Sequence, residues 1–182
     1  MPPRLLPPTG RRAALLAAAL VGGGLLLVAC GRSDPPLQLV CPRPGIVNGL
    51  DQTAGFRPGG GGEGDLRWVA VMQNIDGGCS YDDGLTVNLS VDLLAEAGPA
   101  HQGAPVELPY FVAVAGPDGE ILDKQAFTAV VSLPPGTPRG GTRESFTQRY
   151  PAVTPAEGAL YRIYLGFDVP RDEALRRRVQ LR

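Results

Sequence analysis

One histidine, His101, is all that 182 residues provide, and that scarcity limits the chemistry the sequence can support. Nucleophile-and-base catalysis needs a base beside its nucleophile, and no second imidazole exists to supply one. Gly-x-Ser-x-Gly, Ser-x-x-Lys and His-Glu-x-x-His are all missing, so the common patterns of exported hydrolases are absent. Neither sign of charge prevails, with 17 Lys and Arg against 18 Asp and Glu. A chain with a net charge of -1 lacks the broad basic field of non-specific nucleic-acid binding, so no nucleic-acid partner is expected. Cysteine is sparse, and its three copies show neither Cys-x-x-Cys nor His-Cys spacing. No metal site and no cofactor are therefore read. Long helices are disfavoured by 25 glycines and 19 prolines, each of which interrupts regular helix. Turn-rich β structure remains.

Only one long apolar run is present, Ala13 to Ala29. It follows Arg4, Arg11 and Arg12 with no acidic residue in 1–29, the layout of an export signal. The run ends in Leu27-Val28-Ala29-Cys30, which resembles the lipobox of bacterial lipoprotein precursors. That resemblance covers about the first thirty residues. It implies that 1–29 is a signal peptide removed on export and that Cys30 carries the lipid, leaving 30–36 as a lipidated cysteine with a short tether. An uncleaved signal anchor is the alternative, although Gly22 to Gly24 would make a weak membrane helix. Gly31 after the cysteine, where an aspartate would mark inner-membrane retention, implies the outer membrane in preference to the inner, with the body facing the periplasm. Without its three leading arginines the chain keeps 14 basic residues against 18 acidic ones. A body with that acidic balance is weakly repelled by anionic lipid, so the acyl chains must hold it.

With Cys30 assigned to lipid, Cys41 and Cys79 remain as a pair, and export puts them where disulfides form. The body, 37–182, reads as one domain. About seven strands are expected, at Leu37 to Cys41, Leu66 to Asn74, Leu85 to Leu93, Val106 to Ala115, Ile121 to Leu133, Ser145 to Tyr150 and Ala159 to Phe167, with a further short piece around Ile46-Val47. Leu85 to Leu93 alternates apolar and polar residues without a fault, burying one face and wetting the other. Gly116-Pro117-Asp118-Gly119 signals a hairpin turn, and Phe56 to Gly64 reads as a loop. Arg171 to Arg178 is the one short helix, with acids first and arginines last as its dipole prefers. The expected fold is all-β, an antiparallel two-sheet sandwich that is immunoglobulin-like in the broad sense, with a small closed barrel as the alternative.

Candidate sites are thin. His101 lies among Gly98-Pro99-Ala100 and Gln102-Gly103 and reads as an exposed loop residue. Asp76, Asp82 and Asp83 read as turn formers around Cys79. The alternatives for them are a calcium cage, for which they are too few, and a glycan-cleaving carboxylate pair. Adjacent Tyr110 and Phe111 point to opposite faces of a strand, so one is expected in the core and the other exposed; in Ala159 to Phe167 alternation places Tyr161 on one face with Ile163, Leu165 and Phe167 and Tyr164 on the opposite face, as a second aromatic pair. The expected role is non-enzymatic: a lipid-anchored interaction or envelope-assembly module with an envelope protein as partner. A cell-envelope hydrolase and a small-ligand-binding sandwich remain as alternatives.

Overall fold

Strict alternation makes Leu85–Ala97 the spine of the molecule, because Leu85, Val87, Leu89, Val91, Leu93 and Ala95 all turn to one side and are buried. The computed structural model describes residues 40–150 and 152–174. Eight strands follow one another: β1 (Arg43–Ile46), β2 (Gln52–Phe56), β3 (Leu66–Ser80), β4 (Leu85–Ala97), β5 (Val106–Ala115), β6 (Ile121–Val131), β7 (Arg139–Tyr150) and β8 (Arg162–Phe167). They form two four-stranded sheets, β1-β8-β5-β6 and β2-β3-β4-β7. The two share one core, in which the inward row of β4 meets Val106, Leu108, Tyr110, Val112 and Val114 of β5 and Ile163, Leu165 and Phe167 of β8. Each such side chain, fully buried, contributes about 1.5–3 kcal/mol. The fold is thus an all-β two-sheet sandwich rather than a closed barrel, since among the described residues no ladder joins the two sheets.

Several boundaries differ from the sequence reading, each for a local reason. Leu37 to Leu39 lie outside the described residues, and Val40 and Cys41 are not in a strand. The first strand instead runs through Pro44 and pairs parallel with β8, the one parallel pair among the described residues. As an edge strand it can accommodate a residue without an N–H. The expected loop from Phe56 begins a residue later, because Gln52–Phe56 pairs with β3. Asp76-Gly77-Gly78 does not turn. A bulge between Gln73 and Asp76 absorbs the irregularity, with Asn74 at φ 54°, and β3 continues beside β4 to Ser80. Ser145 to Tyr150 proves to be the end of a longer strand that starts at Arg139, its first half disguised by Gly140 and Gly141. Gly158–Leu160 is a 3-10 turn, so β8 is shorter than Ala159 to Phe167. Of the expected C-terminal helix, 171–174 is helical and the rest lies outside the described residues.

The register also gives the sandwich two distinct ends. At one, Cys79 pairs with Val87, Leu85 with Tyr150 and Ala115 with Arg162. At the other, Trp68 pairs with Ala97, Glu96 with Arg139 and Val106 with Val131. Along the thirteen residues of β4 these ends stand about 40 Å apart at roughly 3.3 Å per residue.

Candidate functional site

The described chain begins at the first of these ends, where it is fastened twice. Cys41 is disulfide-bonded to Cys79 near the end of β3, with Cα atoms 5.6 Å apart. Beside the bridge, the Tyr81 hydroxyl donates to the Val40 carbonyl at 2.6 Å. Gly158 lies against that phenol, leaving no room there for a β-carbon. The pairing of Cys41 with Cys79 read from the sequence is therefore present. Cys30, read as the lipid site, lies outside the described residues.

The three aspartates do not converge. Asp76 sits within β3 opposite Ser90, where its Oδ1 accepts the Gly77 N–H at 2.9 Å. Asp82 and Asp83 occupy the bend between β3 and β4, beyond the strand end. Turn formation thus holds for the last two and not for Asp76. Among the described residues no three His, Cys, Asp or Glu side chains are grouped so as to hold a metal ion.

His101 corrects its sequence reading, being half-buried rather than exposed. Its Nε2 lies 2.8 Å from the Leu133 carbonyl, which can only accept, so Nε2 carries the proton. Nδ1 is the buried nitrogen without a partner. A ring held this way is a strut between two loops, for neither nitrogen meets a hydroxyl or thiol that it could activate. The two loops, around Gly98 to Gly103 and Pro134 to Pro138, line an open cleft of about 600 Å³ at the second end of the sandwich.

Aromatic side chains close the side where β6 and β7 face each other. Tyr110 stacks on Phe127 with ring centroids 5.4 Å apart, and Phe127 on Phe146 at 6.3 Å. The Tyr110 hydroxyl donates to Glu144 at 3.3 Å. Burial, then the neighbouring Glu144 charge and that hydrogen bond, push the Tyr110 phenol up to about 12. Tyr150 is pushed up to about 12 as well, by burial first and the Asp123 charge second, and its hydroxyl is buried without a partner. Phe111 departs from expectation. It is buried on the outward side of β5, where its ring packs over Gly166 of β8 and the Lys124 ammonium lies over it, 4.4 Å from the centroid. Tyr164, on the face opposite Ile163, is exposed, while Tyr161 is half-buried.

One surface escaped the sequence reading altogether. On the outer side of β3 and β4, toward the second end, Val69 is 37% and Leu94 38% exposed. With Val71 and Gly140 they line a depression of about 410 Å³, rimmed by Arg139 and Glu96. Water-facing positions of an antiparallel sheet are ordinarily polar, and the other half of this same face obeys that rule. There Asn88 and Ser90 stand beside Ser145 and Thr147, and the Thr147 hydroxyl donates to Asn88 at 2.7 Å. The signal that could have found the patch was present: Val69, Val71 and Leu94 occupy outward positions of alternating strands. It was hidden because the register of β3 against β4 is not legible from either strand alone. No known protein family matches this chain, and no curated protein is similar to it.

Proposed function

We propose that this protein is an envelope lipoprotein, anchored through Cys30, whose sandwich works as an interaction module and not as an enzyme. The lipobox resemblance and the export-type leader support the anchor. The observation that carries the module reading is the aliphatic depression of Val69, Val71 and Leu94 on a sheet face that otherwise follows the polar rule. Contiguous exposed apolar surface rimmed by polar residues is a feature of protein, membrane and ligand contact sites. Its position fits the anchor, because the patch lies toward the end of the sandwich opposite the Cys41–Cys79 bridge. The hydrolase alternative receives no such support, since Asp76 is separated from Asp82 and Asp83 by the end of β3.

Metabolic labelling with a clickable fatty acid tests the anchor. Wild-type protein takes up label and begins at Cys30, whereas Cys30→Ser remains an unlabelled precursor. Label persisting in the variant, or a mature chain beginning elsewhere, overturns the anchor. Affinity capture of the lipidated protein from chemically crosslinked envelopes tests the module. A stoichiometric partner lost from the Leu94→Asp variant supports it, and capture indifferent to that substitution or without any partner refutes it.

A further inference from the structure

We infer that two copies of this chain pack face to face through the outer side of β2-β3-β4-β7, related by a two-fold axis that runs along the strands. This rests on the interaction-module reading and names a second copy as the partner. The face is divided along its length. Toward the second end, Ala54 lies beside Val69, and Val71 beside Leu94, on the outward side. Toward the first end the outward pairs are small and polar, Asp76 with Ser90, Gly78 with Asn88 and Ser80 with Thr86. Much of the charge on this face is already paired within the copy, because Arg139 meets Glu96 at 3.0 Å and Arg143 meets Asp92 at 3.4 Å. A face with its ions so paired selects no charged partner and matches a surface divided as it is itself. The size is sufficient. Strands of fifteen, thirteen and twelve residues lie about 4.8 Å apart and, with β2, offer about 650 Å² of flat surface. Two copies cover about 1,300 Å², inside the range of about 1,200–2,000 Å² for specific protein contacts.

Orientation follows from that division. Sheets stacked face to face align their strands within about 30° and lie about 10 Å apart, which leaves two symmetric choices. An axis across the strands would set the apolar half of each copy on the polar half of the other. An axis along the strands, on the midline between β3 and β4, sets like on like. Each residue of β3 then faces the β4 residue of the second copy that corresponds to its own registered partner. Val71 faces Leu94 of the second copy, and by symmetry Leu94 faces its Val71. Gly78 faces Asn88 of the second copy, and the position of the missing β-carbon has no atom within 4 Å. Charges do not collide, since Val69 faces Glu96, Gln73 faces Asp92, Asp76 faces Ser90 and Ala54 faces Arg139. The same axis brings the first ends of both copies, from which the chain leads back to Cys30, to one side. Two lipid anchors thus reach a single membrane, whereas an axis across the strands would set them at opposite ends, about 40 Å apart.

The test uses the full-length protein in its membrane, with two co-expressed copies that carry different epitope tags. One copy bears Leu94→Cys and the other Val71→Cys, and a short bismaleimide is added to isolated membranes. Both positions lie on the outer face, and thermal melting of each variant shows that it is folded. These copies give an adduct carrying both tags. The adduct falls at least about tenfold when Leu94→Cys is combined instead with Asn88→Cys, because six residues of β4 separate those thiols by about 20 Å along the strand. A stronger adduct from the second combination reports the axis across the strands and overturns the inference, as does the absence of adduct from both. A photo-crosslinking residue at position 94 in living cells keeps the two readings apart. Adducts carrying both tags support the two-fold packing. Adducts only with another protein overturn it and leave the module reading intact, and no adduct at all overturns both.

Discussion

Removing the bridge with the double substitution Cys41→Ala and Cys79→Ala will lower the stability of the sandwich by roughly 4 kcal/mol. The figure comes from the chain enclosed. The two cysteines are 38 residues apart, and closing a loop of that length in the unfolded chain removes about 13 cal/mol/K of entropy on the loop-closure account. The enclosed segment contains β1, which belongs to one sheet, and β2 and most of β3, which belong to the other. Both sheets must therefore come apart before the constraint acts, so the loss is global rather than a fraying of one end. A domain of this size is stable by only about 5–15 kcal/mol in total, so the bridge accounts for roughly a quarter or more of it. Urea denaturation of the oxidised wild type and the variant measures the difference. The denaturant slope provides a second, independent readout: an unfolded chain freed of its ring exposes more surface, so the slope rises in the variant. A loss below about 1 kcal/mol, beneath even the shortest-loop expectation, or an unchanged slope refutes the argument that the bridge acts through the unfolded chain.

Face assignment in β4 predicts opposite outcomes for neighbours. Val87→Asp places a carboxylate at a 2% exposed core position and will lower stability by several kcal/mol. Asn88→Asp keeps an oxygen for the Thr147 hydroxyl in water and will stay within about 0.5 kcal/mol of wild type; equal losses would reverse the assignment. Tyr110 and Tyr150 predict an alkaline limit. With folded phenols pushed up to about 12 and ordinary ones near 10, their contribution is fully present below pH 10 and is lost as pH rises toward 12. Absorbance titration should show two tyrosines ionising late and with unfolding, and all five ionising together near pH 10 would contradict it. Tyr110→Phe removes the hydrogen bond to Glu144 and will lower stability by about 1 kcal/mol, measured by thermal melting.

What the sequence made legible was the part governed by local periodicity. β4 and β5 could be found, and the face of Tyr161, Ile163, Leu165 and Phe167 assigned, because one buried side imposes a period of two. The disulfide was legible by elimination among three cysteines. Features decided by a partner strand were not. Asp76-Gly77-Gly78 has the composition of a turn, yet eleven registered pairs with β4 carry β3 through it. Gly140-Gly141 reads as a break for the same reason, although β4 holds both in a strand. Phe111 was misplaced because its neighbours, Gly166 of β8 and Lys124 of β6, arrive across the two ladders. The aliphatic depression combines all three difficulties, since it assembles residues of β3, β4 and β7 whose alignment depends on a bulge and on two glycines.

The bridge has a mechanical meaning as well as a thermodynamic one. Suppose the chain ahead of Val40 is pulled away from the body. Without a bridge the force would run along the backbone into β1, four residues held by one parallel partner at a sheet edge, and would peel them off a pair at a time. With it, the load passes from Cys41 through sulfur into Cys79, inside a fifteen-residue strand. From there it spreads over the whole β3–β4 ladder, whose bonds lie across the direction of pull and must yield together in shear. The edge strand, whose four registered pairs are the fewest among the described ladders, is bypassed and carries none of the load.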